Sequence, residues 1–174
     1  MDLQVPEATL AALLLATART AGFVLVAPPF NSKAIPAPVK GALSVALALV
    51  VFNQVQATLG VVSVGYLVLT AFTEVVIGVA LGFIVQLFFS AVQLAGDVLD
   101  VAGGFSLQPA YDPLMMSTSS TLGRLHNLLA IALLFTSGGH LLLVRGLHTS
   151  YEGLPLGAVL PTDQLGETLC RRSR

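Results

Sequence analysis

The chain has 174 residues, of which 55% are hydrophobic and only 10% are charged. Because soluble domains carry roughly 25% charged residues, too little polar surface is available here to cover a water-soluble globule. The net charge of −1 argues against a nucleic-acid partner, which would need a basic face. A single cysteine excludes an internal disulfide framework and a cysteine metal cluster. The composition therefore indicates an integral membrane protein or a subunit buried within an apolar assembly.

Four apolar segments predict an all-α fold, because no stretch alternates as a strand would. The first is long enough to cross a bilayer, but it contains Arg19, which we expect to be a buried charge that needs a partner. Pro28 and Pro29 are expected to end it, and the link Phe30–Lys40 is expected to be extended. Ser119 or Ser120 is expected to cap the last helix. The predicted helical segments are Ala8–Ala27, Gly41–Phe52, Tyr66–Leu99 and Leu122–Val144.

The third segment carries its polar residues and glycines on one flank. At about 100° per residue, all of them fall within one half of the helix, and the opposite half is entirely apolar. Glycines four residues apart remove side chains, so another backbone can approach closely. We expect this flank to be a helix-packing face that lies against other protein subunits rather than lipid. Its residues are Glu74, Gly78, Gly82, Gln86, Gln93 and Gly96, with Asp97 and Asp100 beyond them.

An irregular loop, Gly103–Met116, is predicted between the last two segments. It contains glycines, two prolines and several bulky or flexible apolar residues. At membrane depth, irregular backbone is tolerated only where protein or water satisfies its amides. Methionine adapts to changing partners because its side chain has three soft torsions. These properties suit an element that seals a passage, although an ordinary turn outside the membrane would have the same composition.

Several short motifs resemble a known family in both their order and their spacing. They are Arg19, Pro28-Pro29-Phe30, Ile35-Pro36, Lys40, the E-x-x-x-G-x-x-x-G pattern of Glu74, Gly78 and Gly82, Ala95-Gly96-Asp97, Gly104-Phe105-Ser106, Asp112-Pro113, Gly139-His140 and Leu154-Pro155-Leu156-Gly157. Together they resemble the flagellar biosynthetic protein FliR family, which is shared with the export-gate subunit of injectisome type III secretion. Any one of these motifs is weak, but the combination is specific.

This resemblance implies a non-enzymatic channel subunit, without a cofactor or metal, in the export gate of the flagellar basal body. In the family, one such subunit assembles with FliP-like and FliQ-like subunits in the bacterial inner membrane, beside other flagellar export apparatus proteins. Unfolded exported proteins then pass through the pore. The resemblance also implies that a loop plugs this pore. The matching residues are Gly104, Phe105, Ser106, Pro109, Asp112, Pro113, Leu114, Met115 and Met116.

The chain departs from the family pattern at two places. Ala102 stands where the family usually has a glutamine before the G-[LF]-S step. Family members also continue with two further apolar helices, whereas Thr162–Arg174 is polar and ends in a basic cluster. We therefore expect a single helical membrane domain over residues 1–167 and a basic tail unlike the family over residues 168–174. A truncated or frame-shifted form is the expectation, with a naturally short homologue as the alternative.

Two other classes of function are weighed against the export gate. A small-molecule or ion transporter of the inner membrane would use Glu74, Gln86 and Gln93 to line a permeation route. Such transporters usually contain inverted repeats, and the sequence shows none. An enzyme is disfavoured because the three histidines lack metal-ligand spacing, and the serines near Ser120 lack a G-x-S-x-G elbow.

Overall fold

The structure is a computed structural model that describes residues 7–33, 35–55, 64–104 and 120–157. Within these ranges all regular secondary structure is α-helix, which confirms the predicted all-α fold. The described residues form five helices rather than the four predicted segments. They are α1 (Glu7–Val26), α2 (Ala37–Val55), α3 (Val64–Ala102), α4 (Thr121–Thr136) and α5 (Gly139–Gly153).

The first helix ends as the sequence predicts, but the second begins earlier. The last amide bonded into the α1 turn is that of Ala27, because Pro28 and Pro29 have no N–H to donate. Helix α2 already begins at Ala37, so the expected extended link up to Lys40 is wrong for its last residues. Pro38 is tolerated there because amides of the first helical turn have no partner within the helix.

The fourth predicted segment, Leu122–Val144, is broken into α4 and α5, whose axes meet at 76°. Gly138 has φ 72°, a left-handed conformation that a continuing right-handed helix excludes and that glycine adopts without a Cβ penalty. At the start of α4, the Ser120 hydroxyl accepts a hydrogen bond from the amide of Gly123. This confirms the predicted serine cap.

The third helix organises the bundle. Its 39 residues correspond to about 58 Å at 1.5 Å per residue. The first half of α3 (Val64–Gly82) runs parallel to α1, while α4 begins near Asp97 and packs on the second half (Phe83–Ala102). Helix α2 covers α1, and the end of α5 returns to α1. The shared core contains Leu15, Ala16, Phe23, Val24, Ala48, Val51, Leu147, Tyr151 and Leu156.

The described helices include candidates for membrane spans. Thr9–Val26 and Gly65–Ala102 are each long and apolar enough to cross a bilayer, and the bent pair α4–α5 would make a third if it counts as one span. Helix α2 is apolar but shorter. Many large apolar side chains of α3 are exposed, among them Phe72, Phe88 and Leu94. The chain is therefore an α-helical membrane protein.

Candidate functional site

The glycines of the predicted packing face meet the backbone of α1. A Cβ on Gly78 would collide with the carbonyl of Arg19, and a Cβ on Gly82 would lie 3.0 Å from the carbonyl oxygen of Phe23. Helix α1 contributes a matching glycine, because a Cβ on Gly22 would lie 2.7 Å from the carbonyl oxygen of Val75. The two helices thus touch backbone to backbone, as small residues permit in membrane proteins.

The neighbour of this flank is therefore part of the same chain. From Glu74 to Gly82, α1 occupies the surface that the sequence analysis assigned to other subunits, so that expectation is wrong for this part of α3. The physical reason is that α1 carries both features that the flank requires. Gly22 permits the close approach, and Arg19 provides the opposite charge.

Arg19 and Glu74 form a buried ion pair. The Arg19 Nε donates to Oε2 of Glu74 at 2.6 Å, and the two side chains are 0% and 2% exposed. A charge removed from water is costly unless it is both paired and hydrogen-bonded. The ion pair between Arg19 and Glu74 explains how α1 and α3 each tolerate a buried ionisable residue.

The remaining donors of Arg19 reach the end of α5. Nη1 donates to the carbonyl of Ser150 at 3.1 Å and lies 3.3 Å from its hydroxyl, while Nη2 donates to the carbonyl of Leu154 at 2.8 Å. The Tyr151 ring lies 4.1 Å from the guanidinium carbon, within cation–π range. The Ser150 carbonyl also accepts from the amide of Leu154, so Arg19 is its second donor. The C-terminal end of a helix carries partial negative charge, so a buried guanidinium suits this position.

Glu74 and Tyr66 hold the segment that follows α5. The second carboxylate oxygen of Glu74 accepts from the amide of Gly157 at 3.4 Å, and the Tyr66 hydroxyl donates to the carbonyl of Gly157 at 2.8 Å. Polar groups from α1, α3 and the end of α5 thus converge on one ion pair. We call this set the Arg19 cluster. Its members are Arg19, Glu74, Ser150, Tyr151, Leu154 and Gly157.

Sequence reasoning identified Arg19 and Glu74 separately and did not pair them. It also missed the contribution of α5. The usable signal was that opposite charges occur in the interiors of two apolar helices, since each needs a partner there. No comparable signal marks Ser150 or Leu154, because Arg19 uses their backbone carbonyls, which every residue has.

A second close contact joins α3 to α4. A Cβ on Gly96 would lie 2.8 Å from the Cα of Gly123 and 2.9 Å from the carbonyl oxygen of Leu122. Next to it, Oδ1 of Asp97 accepts hydrogen bonds from the amide and the hydroxyl of Ser120. Asp97 therefore places a carboxylate at the positive N-terminal end of α4, where negative charge is stabilising.

The other predicted members of the packing face are Gln86 and Gln93, between these two contacts, and Asp100, beyond the second. Gln86 and Gln93 are half-buried, and the amide nitrogen of Gln86 donates to the Ser90 hydroxyl at 3.4 Å within α3. Asp100 is buried near the end of α3. The structure thus brings Glu74, Gly78 and Gly82 against α1 and Gly96 against α4, rather than all of them to one neighbour.

The predicted pore-closing loop falls mostly outside the described residues. Gly104, which has φ 73°, is its one described member. The other predicted members, which lie outside, are Phe105, Ser106, Pro109, Asp112, Pro113, Leu114, Met115 and Met116. Among the described residues, no group of three or more histidine, cysteine, aspartate or glutamate side chains could hold a metal ion.

These features define a class of protein: an α-helical membrane protein whose buried polar groups serve contacts between helices. Sequence comparison identifies the family. The chain belongs to the bacterial export proteins, family 1, whose family model matches residues 10–172. The matched range includes most of residues 168–174, so the separateness of that tail stays a prediction.

Named relatives point the same way. The chain is 27% identical over 150 residues to the flagellar biosynthetic protein FliR of Bacillus subtilis, covering 86% of this chain and 58% of that protein. It is 29% identical over 139 residues to FliR of Escherichia coli, covering 80% and 53% respectively. It is 33% identical over 91 residues to the secretion system apparatus protein SsaT of Salmonella typhimurium, covering 52% and 35%. The chain thus spans between about half and three-fifths of the FliR proteins it matches.

Proposed function

We propose that the chain is a non-enzymatic channel subunit of a type III protein export gate. In this role it assembles with FliP-like and FliQ-like subunits in the bacterial inner membrane, at the flagellar basal body. Unfolded flagellar proteins pass through the pore that these subunits form together. Residues Gly104–Met116 contribute an element that closes this pore.

The observation that carries the proposal is the family match over residues 10–172. The relatives with the longest alignments are named as flagellar biosynthetic proteins, and a further relative is named as a secretion system apparatus protein. The exposed apolar side chains of α3 are consistent with the membrane location in the proposal, because exposed apolar surface marks membrane or protein contacts.

The geometry disfavours the transporter alternative. That alternative requires Glu74 to face a permeation route, together with Gln86 and Gln93. Glu74 is instead 1% exposed, and its carboxylate is bonded to Arg19 and to the amide of Gly157. A carboxylate that is buried and bonded in this way holds the helices together. It does not face a permeation route for a solute or ion.

Co-purification with the partner subunits is the most direct test of the proposal. A tagged copy of the chain, produced in its host, should co-purify FliP-like and FliQ-like proteins from detergent-solubilised membranes. Purification of the intact chain without either partner would refute the proposal.

The pore-closing role needs a separate measurement. Replacement of Met115 and Met116 by alanine should raise ion leakage through the assembled gate, because two adaptable apolar side chains are lost from the seal. The control is the yield of the purified complex, which should stay unchanged. Unaltered conductance at normal complex yield would count against a plug at this loop.

A further inference from the structure

The two ends of α5 are held to the rest of the molecule in different ways. Near its start, Leu141 and Leu142 are 57% and 67% exposed. Near its end, Leu147 and Tyr151 are buried in the shared core. The backbones of α1 and α5 make little direct contact, so long side chains bridge the gap between them.

The start of α5 has the geometry of a hinge. Gly138 sits at the 76° bend with φ 72°, and no atom lies within 4 Å of the position that a Cβ would occupy there. Its amide is bonded to the carbonyl of Phe135 and its carbonyl to the amide of Leu141, both within the local turn. Gly138 itself therefore makes no hydrogen bond to α1, α2 or α3 that a rotation at this residue would break.

The end of α5 is held by hydrogen bonds that share one side chain. The Arg19 guanidinium donates to Ser150 and Leu154, and Arg19 also holds Glu74, which accepts from Gly157. Two further bonds do not involve Arg19. The Tyr151 hydroxyl donates to the carbonyl of Ala16 at 3.0 Å, and the Tyr66 hydroxyl donates to the carbonyl of Gly157 at 2.8 Å. Loss of the guanidinium fork would thus remove the bonds to Ser150 and Leu154 at once, and only the bonds from Tyr151, Tyr66 and Glu74 would remain.

We propose that α5 is an arm hinged at Gly138 and latched by Arg19 at its far end. The latch opens as one unit and frees residues 147–157, while the contact of α1 with α3 stays closed. That contact persists because Gly22, Gly78 and Gly82 meet backbone to backbone without any atom of α5. The latch is a property of this chain and does not depend on its role in export.

Arg19→Lys separates the latch from the ion pair. Lysine keeps the positive charge that Glu74 requires, but one ammonium group cannot reproduce a planar fork that reaches Glu74, Ser150 and Leu154 together. Arg145→Lys is the matched control, because Arg145 is exposed and lies on α5 itself. Tyr151→Phe is a second, milder variant that removes only the bond to Ala16.

The test is hydrogen–deuterium exchange of the full chain in lipid nanodiscs, read by mass spectrometry. In Arg19→Lys, amides of residues 147–157 should exchange roughly tenfold faster or more, since exchange reports local opening. Those of α1 and the first half of α3 should change less than about twofold. Tyr151→Phe should give a smaller increase confined to the same segment, and Arg145→Lys should match the unmodified chain.

Two results would overturn the proposal. Unchanged exchange of residues 147–157 in Arg19→Lys would show that Arg19 does not hold α5. Faster exchange throughout α1, α3 and α5, in both Arg19→Lys and Tyr151→Phe, would show that the cluster supports the whole bundle rather than a separable arm. Neither result would bear on the proposed export role, which the co-purification experiment tests independently.

Discussion

The two halves of α3 use glycine in the same way but charge in different ways. In both halves a glycine lets a neighbouring backbone approach, at Gly78 against α1 and at Gly96 against α4. In the first half, Glu74 is fully buried and neutralised by a side chain. In the second half, the half-buried Asp97 is stabilised by the amide, the hydroxyl and the dipole at the start of a helix.

A carboxylate in an apolar helix can therefore be stabilised in two ways. Where water is excluded completely, a full opposite charge and further donors are needed. Near a helix terminus, unpaired backbone amides and their partial charge are sufficient. The comparison therefore predicts that removing charge is far more damaging at Glu74 than at Asp97.

The largest expected effect comes from Glu74→Leu. This change leaves the Arg19 guanidinium buried without its counter-ion, which should cost about 3–5 kcal/mol of the free energy of unfolding. Thermal unfolding in detergent measures the loss. The double variant Arg19→Met with Glu74→Leu leaves no uncompensated charge, so it should regain a large part of the stability. Equal losses in the single and double variants would mean that the pair is not the determining interaction.

An intermediate effect is expected from Gly78→Ala. The added Cβ collides with the backbone carbonyl of Arg19, and backbone cannot move aside as a flexible side chain can. The free energy of unfolding should fall by roughly 1–3 kcal/mol, as overpacking does in other cores. Gly146→Ala is the control, since it adds the same methyl group in open space and should stabilise helix α5 slightly. The contact would be less tight than described if both variants had the same melting temperature.

The smallest effect is expected from Asp97→Ala. It removes the acceptor of the Ser120 amide and hydroxyl but leaves the Ser120 cap of Gly123 in place, so about 1 kcal/mol should be lost. Amide exchange should rise in the first turn of α4 and nowhere else. Ser90→Ala, an exposed change on the same half of α3, should alter stability by less than about 0.5 kcal/mol. An Asp97→Ala loss as large as that of Glu74→Leu would remove the distinction between the two halves.

Local rules accounted for the helices and most of their ends. Apolar runs, the proline pair after α1 and the serine before α4 each act within a few residues, so the sequence is sufficient to read them. The break at Gly138 was missed because a glycine inside an apolar run is compatible with both a continuous and a broken helix. Only the left-handed φ of this residue distinguishes the two.

Long-range pairing was harder to predict. Helical periodicity places Glu74, Gly78 and Gly82 on one flank of α3, but it cannot say which helix covers that flank. The neighbour is α1, which lies about 55 residues earlier in the sequence and runs parallel to α3. The bonds from Arg19 to the carbonyls of Ser150 and Leu154 join residues that are more than 130 positions apart. Every residue has a backbone carbonyl, so the sequence does not indicate which ones accept.

The length of α3 has a consequence for how a single copy could reside in a lipid bilayer. A rod of about 58 Å tilted by 40°, the upper end of the usual range, still rises about 44 Å, whereas the hydrocarbon layer measures about 30 Å. A single copy would then expose apolar side chains outside the hydrocarbon layer, or the surrounding bilayer would have to thicken. The length of α3 therefore disfavours a single copy that diffuses alone in the bilayer. Association with other long helices would remove the mismatch between helix length and hydrocarbon thickness.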